Sequence, residues 1–162
     1  MNKAYTVVEF PEKRIAGLHV QTDMQNAAKD CPALWQAFGP RICTELANCA
    51  SISKEGHTYG VSIMTDPERF TYWAAIEIGT DDASGKALPK DIQTMTIPAG
   101  LYVKCQVENL SQLGEAFTAL YMQWPQTQNE YALNMQGLCF ELYPMNWQLT
   151  DPLEIYASVI KK

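Results

Sequence analysis

Apolar residues recur along this chain with two different spacings, and the alternation between them predicts its elements. Segments in which β-branched and aromatic residues alternate with polar ones run from Tyr5 to Glu9, Ile15 to Gln21, Tyr59 to Met64, Phe70 to Ile78, Gln93 to Ile97, Leu101 to Glu108, Cys139 to Tyr143 and Ile155 to Ile160. A period of two marks half-buried strands. Two other stretches space their apolar residues three to four apart, as one face of a helix requires. In the first, Leu34, Trp35, Phe38, Ile42 and Leu46 recur; Asp30 is a candidate N-cap, Pro32 is tolerated in the first turn, and Gly39-Pro40 is a break, giving one interrupted helix or two short ones. In the second, Leu113, Phe117, Leu120, Tyr121 and Trp124 form a cleaner stripe, opened by Asn109 or Ser111 and closed by Pro125.

The order of these elements is nearly duplicated. Phe10-Pro11, the strand-like Ile15 to Val20 and the helical stretch with Trp35 and Phe38 are answered by Ile97-Pro98, Leu101 to Val107 and the helical stretch with Tyr121 and Trp124. Tyr59 to Ser62 then aligns with Phe140 to Tyr143, and FTYWAAIEI from Phe70 with LEIYASVIK from Leu153. The pattern predicts an α+β fold: a pseudo-two-fold repeat of a βαββ-type unit, with halves of about 1–80 and 92–162 and a turn-rich linker at about 81–91. Its eight strands form a mainly antiparallel sheet with the two main helices on one face. The copies diverge where a pocket would need polarity, since Gly60 in the first is answered by Glu141 in the second.

Composition narrows the reading. A chain of 162 residues that is 47% hydrophobic fills one sizeable core, whereas each half alone is near the lower limit of self-sufficient burial, so residues 1–162 are expected as a single domain. No run approaches the roughly 20 apolar residues of a membrane span, and MNKAYTVVEF lacks the apolar centre of a signal peptide; a cytoplasmic location is expected. Cys31, Cys43, Cys49, Cys105 and Cys139 contain no CxxC pair and no His at ligand spacing. They read as small packing residues in a reducing compartment, with no disulfide framework and no metal site; Cys31 and Cys49, near helix ends, are the candidates for access. A net charge of −6 without a Lys/Arg cluster argues against direct nucleic-acid binding. No GxSxG, HExxH, Walker loop or dinucleotide fingerprint is present, and no cofactor is called for. His57 falls at a turn leading into a strand, and His19 reads as a satisfied structural histidine.

The double βαββ-type layout, the opening FPEKRIAGLHVQT, the helical segments PALWQAF and AFTALYMQW, and above all FELYP followed by DPLEIYASVIKK together resemble the GyrI-like or AraC-type effector-binding domain over essentially the whole chain. The resemblance implies a central cleft between the halves that takes small hydrophobic molecules, often lipophilic cations. It also implies a stand-alone module of the kind carried on mobile gene cassettes, because no helix-turn-helix segment is to spare; any transcriptional role then needs a separate DNA-binding regulator.

Glu141 occupies the acidic position of the family's FExY element, within an otherwise apolar strand, and is the candidate counter-ion for a cation. Alternation places Tyr143 on its face and Phe140 and Leu142 on the other. Trp35 and Tyr121, which correspond across the repeat, are candidate cleft walls that also belong to core stripes, with Phe38 and Trp124 beside them. Tyr72 and Tyr102 from strands and Trp147 from a loop complete the candidate ligand-binding set. Trp73 alternates away from Tyr72, and Glu77, aligned with Ile160, leans towards the surface. Two alternatives stay open: a hydrolase of strained-ring electrophiles using Glu141 with a pocket tyrosine, and a gyrase-interacting protein, for which Asp81-Asp82 is the only compact acidic cluster outside the strands.

Overall fold

The computed structural model describes residues 4–42, 44, 46, 57–79, 88–144 and 147–162. Cys43, Cys49, Asp81-Asp82 and most of the expected linker, residues 81–87, lie outside the described residues.

In chain order the elements are β1 (Tyr5–Phe10), β2 (Lys13–Asp23), α1 (Ala27–Ile42), β3 (Thr58–Met64), β4 (Arg69–Glu77), β5 (Gln93–Ile97), β6 (Gly100–Val107), α2 (Leu113–Met122), β7 (Tyr131–Leu133), β8 (Cys139–Tyr143) and β9 (Leu153–Lys161). The fold is α+β, with every strand pair antiparallel. The sheet has nine strands rather than eight. Its path is β1-β6-β9-β8-β3-β4-β2-β5, and β7 hangs off it by pairing with the end of β9. That ninth strand is only Tyr-Ala-Leu, too short to show an alternation. Each edge strand pairs with a strand distant in sequence, β1 with β6 and β5 with β2, and the middle of the sheet is the seam between β3 and β8.

Helix α1 runs unbroken through Pro32 and Gly39-Pro40. Proline at position 40 removes only a bond near the end of the helix, and tertiary contacts hold that last turn. Phe38 is fully buried against Ala74 and Ile76, and Arg41 makes a two-pronged pair with Asp91 at 2.6 and 2.9 Å. The helix also starts earlier than Asp30 would set. Asp23 receives the backbone N–H groups of Gln25 and Asn26, while Asp30, inside the first turn, accepts from Thr22 Oγ1 at 2.8 Å. Before α2, Asn109 caps a short 3-10 turn, Leu110–Gln112, by accepting the N–H of Ser111 at 3.0 Å, and a second 3-10 turn containing Pro125 follows the helix.

Alternation along the strands divides the core into two faces. On the helix side, Val103, Cys105, Val107, Leu153, Ile155 and Ala157 pack beneath α2, while Ala16, Ala74, Ile76 and Ile78 pack beneath α1. Trp35 touches both groups, and between them a gap remains. The other face is closed without a helix. Phe140 stacks on Tyr156 at 4.7 Å and is ringed by Phe10, Tyr59 and Tyr102 at 5.1 to 5.8 Å, with Met95 of the edge strand β5 against the same cluster. Burial of five aromatic side chains there supplies the driving force that lets the opposite face be left open.

Candidate functional site

The gap between the helices is a cavity of about 760 Å³. One wall is the face of α1 that carries Ala28, Cys31 and Trp35; the other is the 3-10 turn and first half of α2, carrying Leu110, Leu113 and Phe117. Its floor consists of alternate residues of three adjacent strands: Thr58 and Ser62 of β3, Phe70 and Tyr72 of β4, and Glu141 and Tyr143 of β8. Trp147 and Leu149 stand at the rim.

Among the described residues, Glu141 is the one ionisable carboxyl that lines this cavity, and no Lys or Arg lines it. It is 4% exposed. Tyr143 donates to its Oε1 at 2.6 Å, and Tyr72 donates to the same oxygen at 3.0 Å. Tyr72 in turn accepts from Trp35 Nε1 at 2.9 Å, so a relay runs from α1 across β4 to β8. The relay depends on Gly60, which lies directly opposite Glu141 in the β3–β8 register. A Cβ there would fall 2.2 Å from the Tyr72 hydroxyl and 2.7 Å from Glu141 Oε1. Without a side chain at position 60, Tyr72 reaches across β3 to the carboxyl.

Burial sets the electrostatics. Desolvation pushes the Glu141 carboxyl up from 4.5 to about 7, against the opposing pull of the Tyr143 and Tyr72 hydrogen bonds. Burial also raises both tyrosines, and the neighbouring Glu141 charge raises them further, so they remain hydroxyl donors. Cys31 is pushed up to about 12 by burial and then by Glu141, which keeps it a thiol and a poor nucleophile. Among the described residues no group of three or more His, Cys, Asp or Glu side chains converges as a metal site would, and no disulfide joins Cys31, Cys105 and Cys139 to one another.

Of the residues singled out in the sequence, Glu141, Tyr143, Tyr72, Trp35 and Trp147 meet at the cavity. Trp35 packs edge-to-face on Tyr143, and Trp147 does the same at 4.8 Å while donating to the Asp151 carbonyl. Four others lie away from it. Phe38 is core beneath α1, and Trp124 is core beneath α2 against the Tyr5 ring. Tyr102 is on the opposite face, because β6 turns Val103 and Cys105 towards α2, and its hydroxyl donates to the Pro98 carbonyl. Tyr121 sits one turn beyond the cavity wall, where its hydroxyl meets Cys139. Phe117, Leu113 and Cys31 take wall positions that the repeat correspondence did not indicate; the signal for them was the three-to-four spacing of Ala28, Cys31 and Trp35 and of Leu113 and Phe117. Trp73 packs on the opposite face from Tyr72. Glu77 is buried rather than at the surface: it is 6% exposed and pairs with Lys13 Nζ at 2.8 Å. His19 is exposed and stacks on its cross-strand partner Trp73.

The GyrI-like small molecule binding domain family matches residues 3–160, and the chain belongs to that family. No curated protein matches the chain in sequence. Several solved structures share the fold. SAV2435, solved bound to tetraphenylphosphonium, is 13% identical with a TM-score of 0.73 over 97% of this chain and 94% of that one. An integron cassette protein from the mobile metagenome of Vibrio cholerae is 15% identical, with a TM-score of 0.64 over 96% and 95%. The C-terminal domain of EcmrR is 17% identical, with a TM-score of 0.65 over 100% of both chains; the longer EcmrR chain, solved with DNA, is 18% identical with a TM-score of 0.60 over 99% of this chain and 58% of that one. No helix among the described residues is long and apolar enough to cross a membrane.

Two outcomes follow from the site. A carboxyl whose folded pKa is raised contributes stability that is complete below the unfolded value and is lost as pH rises through the folded one. The stability advantage of Glu141→Gln over the parent should therefore grow by about 3 kcal/mol between pH 4.5 and 7 and then level off, as read from denaturant midpoints; a pH-independent difference would contradict the buried-charge account. Gly60→Ala must displace Tyr72 or Glu141 and should cost about 1–3 kcal/mol in the same assay. Unchanged stability there would mean the relay has slack that the geometry denies.

Proposed function

We propose that this chain is an effector-binding or sequestering module that takes a small lipophilic cation into the cavity between α1 and α2. One observation carries the reading: a single carboxyl is buried on the floor of an aromatic cavity that no cationic side chain among the described residues enters. Desolvation by burial holds its proton to about pH 7, since the two tyrosine hydrogen bonds only partly oppose it and no cationic side chain among the described residues lines the cavity. A cation in the cavity supplies the missing partner, and Trp35, Phe117 and the two tyrosines supply apolar contact. Tetraphenylphosphonium, the ligand in SAV2435, is a molecule of this chemical type.

Direct DNA recognition has no part in this reading, since a chain of net charge −6 lacks the basic surface that phosphates require. A role in transcription would pass through a separate DNA-binding partner, and the EcmrR chain that was solved with DNA has substantial length beyond the part matched here. A hydrolytic reading has one observation in its favour: a carboxyl near neutral pKa with a tyrosine hydroxyl at 2.6 Å suits a base and acid pair. Repeated turnover of a strained-ring electrophile, abolished in Glu141→Gln, would put that reading first.

Binding is read by quenching of Trp35 and Trp147, which line the cavity. Glu141→Gln should weaken tetraphenylphosphonium by about 1.5–3 kcal/mol and leave an uncharged analogue of equal shape nearly unchanged. For the parent, affinity for this permanent cation should fall about tenfold per pH unit below 7, where Glu141 is protonated, and be flat above. Equal losses for charged and uncharged ligands, or no pH dependence, would remove Glu141 as the counter-ion.

A further inference from the structure

The two oxygens of Glu141 are not equivalent. Both tyrosine hydroxyls converge on Oε1, at 2.6 and 3.0 Å, and no described group donates to Oε2. Oε2 is nevertheless not among the sealed, unpartnered oxygens, a condition met among the described residues by Glu77 Oε2 alone, so it retains access to the cavity. The Trp35–Tyr72–Glu141 relay and the empty position at Gly60 fix the carboxyl in this orientation. The cavity therefore presents one aimed acceptor, already relieved of its competing donors.

From this asymmetry we infer that the site is built for a monocation that carries an N–H, a protonated lipophilic amine, whose hydrogen bond ends on Glu141 Oε2. The inference rests on the cation-binding reading above and narrows it. A charge-assisted N–H···O bond brings nitrogen to about 2.7–2.9 Å, whereas the carbon shell of a quaternary centre holds its charge at about 4 Å and offers no hydrogen. Quaternary ions are usually held by rings whose faces converge on them. Here the rings are turned to other uses: Trp35 is edge-to-face with Tyr143 at 5.6 Å, Tyr143 with Trp147 at 4.8 Å, and both tyrosines spend their hydroxyls on Oε1. With a single carboxyl on the lining among the described residues, a second positive charge on the ligand would find no partner there. An aliphatic amine is also basic enough to hold the proton against a carboxyl that titrates near 7.

Three ligands of matched shape test this at about pH 8, where Glu141 is ionised and an aliphatic amine is protonated: a dimethyl(diphenylpropyl)amine, its trimethylammonium analogue and its uncharged isopropyl analogue. The amine should bind at least about tenfold more tightly than the trimethylammonium compound, and the ratio should collapse towards one in Glu141→Gln. Glu141→Asp, which keeps the charge but withdraws the oxygen by a methylene, should lose most of the amine's preference while still favouring both cations over the uncharged compound. A quaternary compound that binds as well as the amine overturns the inference and leaves the cation reading intact, provided both exceed the isopropyl analogue. Equal binding of all three, or no binding of either cation, overturns both.

Discussion

A carboxylate taken out of water needs a positive partner or a proton, and the described residues around Glu141 leave it only the proton. Tyr72 and Tyr143 satisfy one oxygen with neutral donors. That is enough to keep the group folded into the floor and too little to hold it ionised at acidic pH. Under the function proposed above, this charge makes the cavity selective: an anion is repelled, a neutral molecule gains only contact area, and a cation gains both contact and the ion pair. Under that proposal stability is lowered at the same position where binding is raised, the usual signature of a site rather than of a core.

Topology explains why the carboxyl can sit there. The seam between β3 and β8 lies mid-sheet, flanked on one face by two helices that pack on separate groups of side chains and leave their junction open. Glycine at position 60 on one side of the seam gives room to glutamate 141 on the other. Phe140, next to Glu141 and pointing the opposite way, anchors the same strand in the aromatic cluster of the far face. Adjacent residues of one strand thus fix the backbone and present the charge.

Much of this was legible in the sequence. Period-two alternation located eight strands and assigned Tyr143 to the face of Glu141 and Phe140 to the other, because a strand's geometry leaves no choice once its register is known. Gly60 and Glu141 stood out in the sequence as a divergence between aligned segments, but that they face each other across β3 and β8 was not legible there. Helical stripes were less informative. A stripe says which residues are buried, not whether the partner is another side chain or a cavity, so Phe38, Tyr121 and Trp124 had the same signature as Trp35. Tyr102 was misleading for a related reason: an aromatic on a strand of a sheet with two buried faces has two apolar destinations. Gly39-Pro40 implied a break that packing of Phe38 and the Arg41–Asp91 pair override. The Trp35–Tyr72–Glu141 relay joins residues 37 and 69 positions apart, and no local pattern announces it.

The central claim is that Glu141 holds a proton in the empty cavity because it lacks a cation, and gives it up when one arrives. The most direct measurement is a carbon-13 NMR titration of the Glu141 side-chain carboxyl, with and without saturating tetraphenylphosphonium. The account predicts a midpoint of about 7 in the free protein and one at or below the ordinary value of 4.5 in the complex. A free midpoint near 4.5, or one that the cation leaves unmoved, would contradict it.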